Sequence, residues 1–382
     1  MSGRPGRTSR DQALAEDLGR EQAEAFMREA LIEARRGVGR TSPNPPVGAV
    51  VVRDGWVIGR GFHARAGLPH AEVGALTEAG EAARGADLYV TLEPCDHYGR
   101  TPPCTRAILE AGIARVFYGA ADPNPQVNGK GMRRLKRAGV SVHRGLLGGE
   151  AEALVRPYVK RVQTGLPWLT LKAAASLDGR IATAKGDSHW VTGPAARARV
   201  HVLRDEADAV VVGRATAALD DPRLTTRLPG GAGRDPVRVV VDSSLSLPLS
   251  LQLFNQTSPA RTIVATLQDP DGRKGRALRA RGVEVWKLRS SRGGVSPRAL
   301  LKRLAATGLN HVLCEGGGQL AAGLLREGLV DELLLFLAPK LVGGDGRPWL
   351  GPLGLRRMAQ ARVLRELSIE PVGEDWLLRG LL

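Results

Sequence analysis

The chain has 382 residues, of which 55 are Lys or Arg against 39 Asp or Glu, a formal charge of +16. That length suggests two or three domains at about 150 residues each, and no apolar run approaches the roughly 20 residues a membrane-crossing helix needs. Three cysteines argue against a disulfide scaffold and for a reducing, cytoplasmic setting. The basic residues are scattered and aromatics are few, so the charge reads mainly as solvated surface, with a few arginines reserved for phosphate.

Residues 1–20 read as a mobile basic tail without a secretory signal. Ala23, Phe26, Ala30 and Leu31 recur at helical spacing, predicting a helix from Glu21 to Arg36 that ends before Pro43 to Pro46. Gly48 to Val52 and Trp56 to Gly61 read as a hairpin about Arg53-Asp54-Gly55. A helix is expected over His70 to Ala79 with Pro69 ahead of it, a strand over Asp87 to Leu92 and a helix over Thr105 to Glu110. A strand over Arg115 to Gly119, a helix over Lys130 to Ala138 and a strand over Val140 to Arg144 follow. The sum is an α/β layer.

Chemistry gathers at the strand-to-helix junctions. His70-Ala71-Glu72 opens one helix and Glu93-Pro94-Cys95 ends a strand, with Cys104 further on. A histidine and two cysteines suit tetrahedral zinc with a position left for water. Glu72 is near enough to serve that water as acid and base without being a ligand. Zinc deaminases carry H-x-E followed by P-C-x-x-C. Here the two cysteines instead bracket Asp96 to Pro103, so Asp96 and His97 compete as ligands; Cys104 is retained because a helix follows it. His63, His143 and His201 read as structural or surface residues.

The ordered set Thr41-Ser42-Pro43-Asn44-Pro45-Pro46-Val47-Gly48, His70-Ala71-Glu72, Glu93 to Cys104 with Thr101-Pro102-Pro103, and Asp122-Pro123-Asn124-Pro125 with Gly129 and Gly131 resembles the deaminase half of the bifunctional riboflavin-biosynthesis deaminase/reductases. The resemblance implies zinc on His70, Cys95 and Cys104, Glu72 as proton shuttle, and Asn44 near a pyrimidine.

The second half keeps the α/β rhythm. Gly148 to Gln163 reads as a helix interrupted by Pro157, and the domain boundary is expected near Gly165, giving domains over 21–164 and 165–382. Strands are expected at Trp168 to Ala174, Ala209 to Gly213, Val237 to Val241, Thr262 to Ala265, Val283 to Leu288, His311 to Cys314 and Glu332 to Leu337. Helices are expected at Pro194 to Glu206, Pro297 to Ala306 and Gln319 to Glu327. No Rossmann fingerprint is present. Glu315-Gly316-Gly317-Gly318 sits between a strand and a helix, where backbone amides can cradle phosphate. The glycine-rich segment Leu228 to Asp235 reads as a surface loop.

Thr170-Leu171-Lys172, Ser176 to Arg180, Ser188 to Gly193, His201 to Arg204, Val212-Gly213 with Thr216, Asp220 to Arg227, Val241-Asp242-Ser243, Glu315 to Gly318 and Ala338-Pro339-Lys340 are similar to the reductase half of the same family. The resemblance implies a cytidine-deaminase-like three-layer domain followed by a dihydrofolate-reductase-like domain. It implies NADPH on Ala174, Trp190, Thr216, Asp220, Ser243 and the run Gly317, Gly318, Gln319, Leu320, Ala321, Ala322 and Gly323. It places substrate on Ser188, Arg204, Leu224, Arg227 and Glu315, where the arginines can fork onto a phosphate. Lys172, Asp178 and Glu315 stand unranked as proton donors. The implied activity is deamination of a diaminopyrimidinone ribosylamino 5′-phosphate, then reduction of its ribosyl chain, by a homo-oligomer that binds neither nucleic acid nor membrane. The competing readings are a nucleic-acid (tRNA adenosine or cytidine) deaminase with an accessory domain, which predicts clustered basic and stacking residues at the site, and a binding protein with a dead site, against which the intact Glu72 speaks.

Overall fold

Val50 to Val52 is an unbroken apolar run and Leu88 to Leu92 is interrupted only by Thr91, the pattern of strands covered on both faces, and both segments are buried in a sheet. The structure is a computed structural model describing residues 9–99, 101–124, 127–231 and 233–382, with side chains from residue 19 onward. Arg100, Pro125, Ala232 of the predicted loop and residues 1–8 of the tail lie outside the described residues. Two compact units divide between Gln163 and Thr164.

The first unit runs α1 (Ser9–Arg35), β1 (Gly48–Arg53), β2 (Trp56–Phe62), α2 (Ala71–Ala79), β3 (Asp87–Leu92), α3 (Cys104–Glu110), β4 (Arg115–Ala120), α4 (Lys130–Arg137), β5 (Ser141–Arg144) and α5 (Gly148–Thr164). Its five-stranded sheet has the order β2-β1-β3-β4-β5, with β3, β4 and β5 parallel and β1 antiparallel to both neighbours. Alternate residues of the central strands supply two cores. Ala49, Val51, Leu88 and Val90 pack with α2, α3 and α4, while Val50, Val52, Tyr89 and Leu92 pack with α1 and α5. This is the α-β-α three-layer arrangement. α1 begins at Ser9 rather than near Glu21, so the segment expected as tail is helical from Ser9 onward. α5 continues through Pro157 instead of breaking there; the proline removes one internal bond, while Ala151, Val155 and Tyr158 bury the helix face on either side of it.

Two glycines seat α2 on the sheet. A Cβ on Gly59 would collide with the Ala75 carbonyl oxygen, and one on Gly61 with that of Ala71. Only hydrogen at those positions lets the helix lie this close, and that contact fixes where its first turn, with Glu72, comes to rest.

The second unit runs β6 (Trp168–Ser176), β7 (Arg180–Ala182), α6 (Pro194–Glu206), β8 (Ala209–Gly213), α7 (Arg214–Asp220), β9 (Val237–Val241), β10 (Thr262–Thr266), α8 (Arg273–Arg279), β11 (Val283–Lys287), β12 (Ser290–Ser291), β13 (Gly294–Val295), α9 (Pro297–Ala306), β14 (His311–Cys314), α10 (Gly318–Arg326), β15 (Glu332–Ala338), β16 (Arg347–Pro348), β17 (Arg365–Val372) and β18 (Asp375–Leu381). The nine-stranded sheet has the order β11-β10-β9-β8-β14-β6-β15-β18-β17. It is parallel from β11 to β15 and closes with antiparallel β18 and β17. α9 and α10 cover one face and α6, α7 and α8 the other. The short α7, α8 and β7, the β12–β13 pair, β16 and the β17–β18 hairpin fall outside the predicted elements. α7 and α8 are too short to show a helical period, and β17 is exposed along nearly its whole length, so no burial pattern marks it. No helix among the described residues is long and apolar enough to cross a membrane.

Candidate active site

In the first unit the chemistry collects beyond the carboxyl ends of β3 and β4, where open α/β sheets hold ligands. His70 is the N-cap of α2 in extended conformation, and Glu72 is buried in the first turn. Cys95 follows β3 after Glu93 and Pro94, and Cys104 is the first residue of α3. The intervening loop is pinned at both ends. The Thr105 amide donates to the Cys95 carbonyl at 3.2 Å, and Asp96 accepts from the Thr105 hydroxyl at 2.6 Å and from Arg134 at 2.8 Å. Asp96 is therefore engaged away from the cluster. His97 borders the cavity and lies outside the ligand cluster.

The ligand atoms of His70, Cys95 and Cys104 lie within 4.8 Å of one another. His70 Nδ1 is 3.1 Å from Cys104 Sγ and 3.6 Å from Cys95 Sγ. Nitrogen and sulfur ligands of one tetrahedral zinc would stand about 3.6 Å apart, so the donor set fits the metal in both spacing and chemistry. Neither thiol is in a disulfide. The Cys104 thiol and His70 hold Cys95 well below the usual thiol range, while the bond to Cys95 and burial push Cys104 up. The Cys104 backbone amide also donates to Cys95 Sγ at 3.4 Å, as expected where a thiolate meets a helix N-terminus. Burial raises the Glu72 pKa and His70 opposes it.

These groups open on a cavity of about 460 Å³. Asn44 and His63 stand in its wall, with Asn44 Nδ2 2.9 Å from His63 Nε2. His63, read from the sequence as structural or surface, is 2% exposed. Its Nδ1 lies 3.1 Å from the Pro69 carbonyl and its ring meets the His70 ring edge-on at 5.2 Å. It sits at the end of a strand with no motif around it, so only the pairing of β2 with β1 reveals its place. Gly131, part of the motif set without an assigned role, has a packing reason. A Cβ there would collide with the carbonyl oxygen of Pro94, next to Cys95. Gly131→Ala is expected to destabilise the first unit by about 1–3 kcal/mol and to lower bound zinc per chain; elemental analysis beside thermal unfolding checks both.

The second unit has a cavity of about 1100 Å³ beyond the carboxyl ends of β6, β8, β9 and β14. Ala174, Thr216, Asp220, Ser243, Gly317, Gly318, Gln319, Leu320 and Gly323 line it, as do Ser188, Lys172 and Glu315. The Gly317 amide donates to Thr216 Oγ1 at 3.1 Å. A Cβ on Gly318 would press on the backbone of Pro348, Trp349 and Gly351, so the glycine turn is needed for close backbone approach. Ala321 and Ala322 point into the core. Leu224 is buried with φ 54°. Trp190 lies outside the cavity lining, 62% exposed, with Arg197 over its ring at 4.6 Å.

Glu315 takes both arms of Arg204, at 2.6 and 2.9 Å, and Lys172 Nζ stands 3.9 Å away. The Arg204 fork is thus taken up by a carboxylate. Arg227 donates through its backbone amide to His201 Nδ1, a histidine read from the sequence as structural or surface. Burial alone would raise Glu315, yet Arg204 and Lys172 bring it down to about 2; burial, with Arg204 nearby, lowers Lys172 against the pull of Glu315. Asp178 accepts from Ser176 and from the amides of Val342 and Gly343 and is held at about 2. It fastens a loop, so of the expected three Lys172 and Glu315 face this cavity, and with Glu315 ionised Lys172 is the one that carries a proton.

Residues 20–120 match the cytidine and deoxycytidylate deaminase zinc-binding region, and residues 167–378 match the RibD C-terminal domain. The chain is 42% identical over 359 residues to the riboflavin biosynthesis protein RibD of Aquifex aeolicus, spanning 94% of this chain and 98% of that one.

The chain belongs to the RibD family.

The RibD of Escherichia coli is 43% identical over 365 residues, 93% of this chain and 98% of its own. Among solved structures, the diaminohydroxyphosphoribosylaminopyrimidine deaminase/5-amino-6-(5-phosphoribosylamino)uracil reductase of Thermotoga maritima superposes with a TM-score of 0.85 at 36% identity, covering 95% of this chain and 99% of that one. RibD of Acinetobacter baumannii gives 0.85 at 37%, with the same coverage. The protein is a bifunctional riboflavin-biosynthesis deaminase and reductase, with its His/Cys/Cys cluster inside the zinc-binding deaminase region. The nucleic-acid deaminase reading is set aside by that membership.

Proposed function

We propose that the first unit hydrolyses the 2-amino group of 2,5-diamino-6-ribosylamino-4(3H)-pyrimidinone 5′-phosphate, and that the second reduces the ribosyl chain of the product to ribityl with NADPH. The observation that carries the reading is the convergence of His70, Cys95 and Cys104 with the buried Glu72 carboxylate on one cavity. His70, Cys95 and Cys104 would hold zinc, which supplies Lewis acidity and lowers the pKa of a water. Glu72 takes a proton from the attacking water and delivers one to the departing ammonia. Asn44, fixed by His63, orients the ring edge.

In the second unit a nicotinamide cofactor would supply the hydride. Ala174, Thr216, Asp220, Ser243 and, at the start of α10, Gly317, Gly318, Gln319, Leu320 and Gly323, which line the cavity, would hold it. Arg214, Arg292, Arg326 and Arg347 in the same wall favour a phosphate-rich cofactor and support NADPH. Ser188, Leu224 and Arg227 would hold substrate, with Arg204 aiming Glu315. Lys172, whose ammonium stands 3.9 Å from the ionised Glu315 carboxylate, is the group available to hand a proton to the opening sugar.

The test is direct. Incubated with the pyrimidine phosphate and NADPH, the protein is expected to release ammonia first and then oxidise NADPH. Deamination of RNA or DNA with neither signal would sink the reading. A zinc chelator is expected to stop ammonia release, since structural and catalytic zinc sites alike depend on the ion, while oxidation of NADPH by pre-deaminated substrate continues.

A further inference from the structure

The cavity of the first unit carries a feature beyond the zinc-binding region. That region ends at residue 120, yet α5, starting at Gly148, contributes Tyr158, Arg161 and Val162 to the cavity wall. The spacing i, i+3, i+4 puts the three on one helical face. Tyr158 is buried and donates to the Asp122 carboxylate at 3.2 Å. Arg161 Nη2 donates to the Pro43 carbonyl at 2.8 Å. That bond fixes the guanidinium at the cavity wall beside Asn44, which is tied to His63.

The charges of the wall give this arginine its meaning. Glu72, Glu93 and Asp122 all line the cavity. A phosphate dianion entering such a cavity meets carboxylates unless a cation is built in. Among the described lining residues Arg161 is the one Lys or Arg. A guanidinium presents a planar fork matched to phosphate oxygens. It stands on a helix that lies beyond the matched zinc-binding region.

We propose that Arg161 reads the 5′-phosphate of the deaminase substrate and sets the preference for a phosphorylated pyrimidine over its bare ribonucleoside. This rests on the pyrimidine-phosphate reading above. Tyr158 and the Pro43 carbonyl are positioning groups: the first anchors α5 to the strand-end loop at Asp122, the second aims the guanidinium.

The test compares ammonia release from the ribosylamino pyrimidine 5′-phosphate and from its dephosphorylated form. Arg161→Gln keeps a donor for Pro43 and removes the charge. It is expected to reduce the ratio of the two kcat/KM values by about tenfold or more, through KM for the phosphorylated form, as loss of a charge-assisted hydrogen bond does. Arg161→Lys is expected to recover part of the ratio, and inorganic phosphate should inhibit Arg161→Gln more weakly than wild type. An equal fall for both substrates assigns Arg161 to structure and overturns the proposal, as does an unchanged ratio. Wild-type protein silent toward both substrates overturns the pyrimidine reading itself.

Discussion

Glu72→Gln is expected to slow ammonia release by about 10²–10⁴-fold, the usual contribution of a positioned general acid and base, and to leave bound zinc at wild-type stoichiometry. The side chain is 3% exposed in the first turn of α2, and Gln matches its shape, so packing is preserved while the proton carrier is lost. His70, Cys95 and Cys104 supply the ligand atoms without it. NADPH oxidation with pre-deaminated substrate should be unaffected, because the residues lining the second cavity all belong to the second unit. Ammonia release within about tenfold of wild type, at full zinc loading, would remove Glu72 from the proton path.

Glu315→Gln is expected to weaken the second unit by about 3–5 kcal/mol at neutral pH, because taking the anion out of a buried ion pair leaves its partners uncompensated. Glu315, Arg204 and Lys172 have side-chain exposures of 8, 12 and 15%. With the carboxylate present the trio carries one net positive charge; without it, two like charges share a nearly dry site. The pH dependence has a definite sign. The folded carboxyl sits at about 2 against an ordinary 4.5, so its contribution is present above pH 4.5 and fades as pH falls towards 2. The gap between wild type and variant in thermal unfolding, about 2–4 °C per kcal/mol for a unit of this size, should narrow over that window. A gap independent of pH would mean that Glu315 matters through shape and not charge. NADPH oxidation should fall as well, with ammonia release maintained.

Much of this protein is legible in one dimension. The alternation of buried strands and helices is written in apolar runs such as Val50 to Val52 and in the period of Pro297 to Ala306, capped by Ser296. His70, Glu72, Cys95 and Cys104 are recognisable because zinc chemistry demands those residue types and the strand-to-helix junctions put them in order. The stretched spacing from Cys95 to Cys104 and the glycines after Cys314 carry the family resemblance that the comparisons bear out.

Other features depend on contacts between segments distant in the chain, which no local pattern encodes. His63 becomes part of the deaminase cavity only when β2 pairs with β1 and α2 is drawn onto it by Gly59 and Gly61. Asp96 drops out as a ligand because Arg134, 38 residues on, claims it. Asp178 is separated from the other proton-donor candidates by the amides of Val342 and Gly343. Arg204 meets Glu315 across 111 positions, which turns a phosphate fork into one arm of a buried charge trio. Sequence determined which chemistry the chain can hold, because ligand type and periodicity are local properties. Tertiary structure decided which side chains surround His70-Ala71-Glu72 and what charge each carries, because burial and pairing arise only once the strands have found their neighbours.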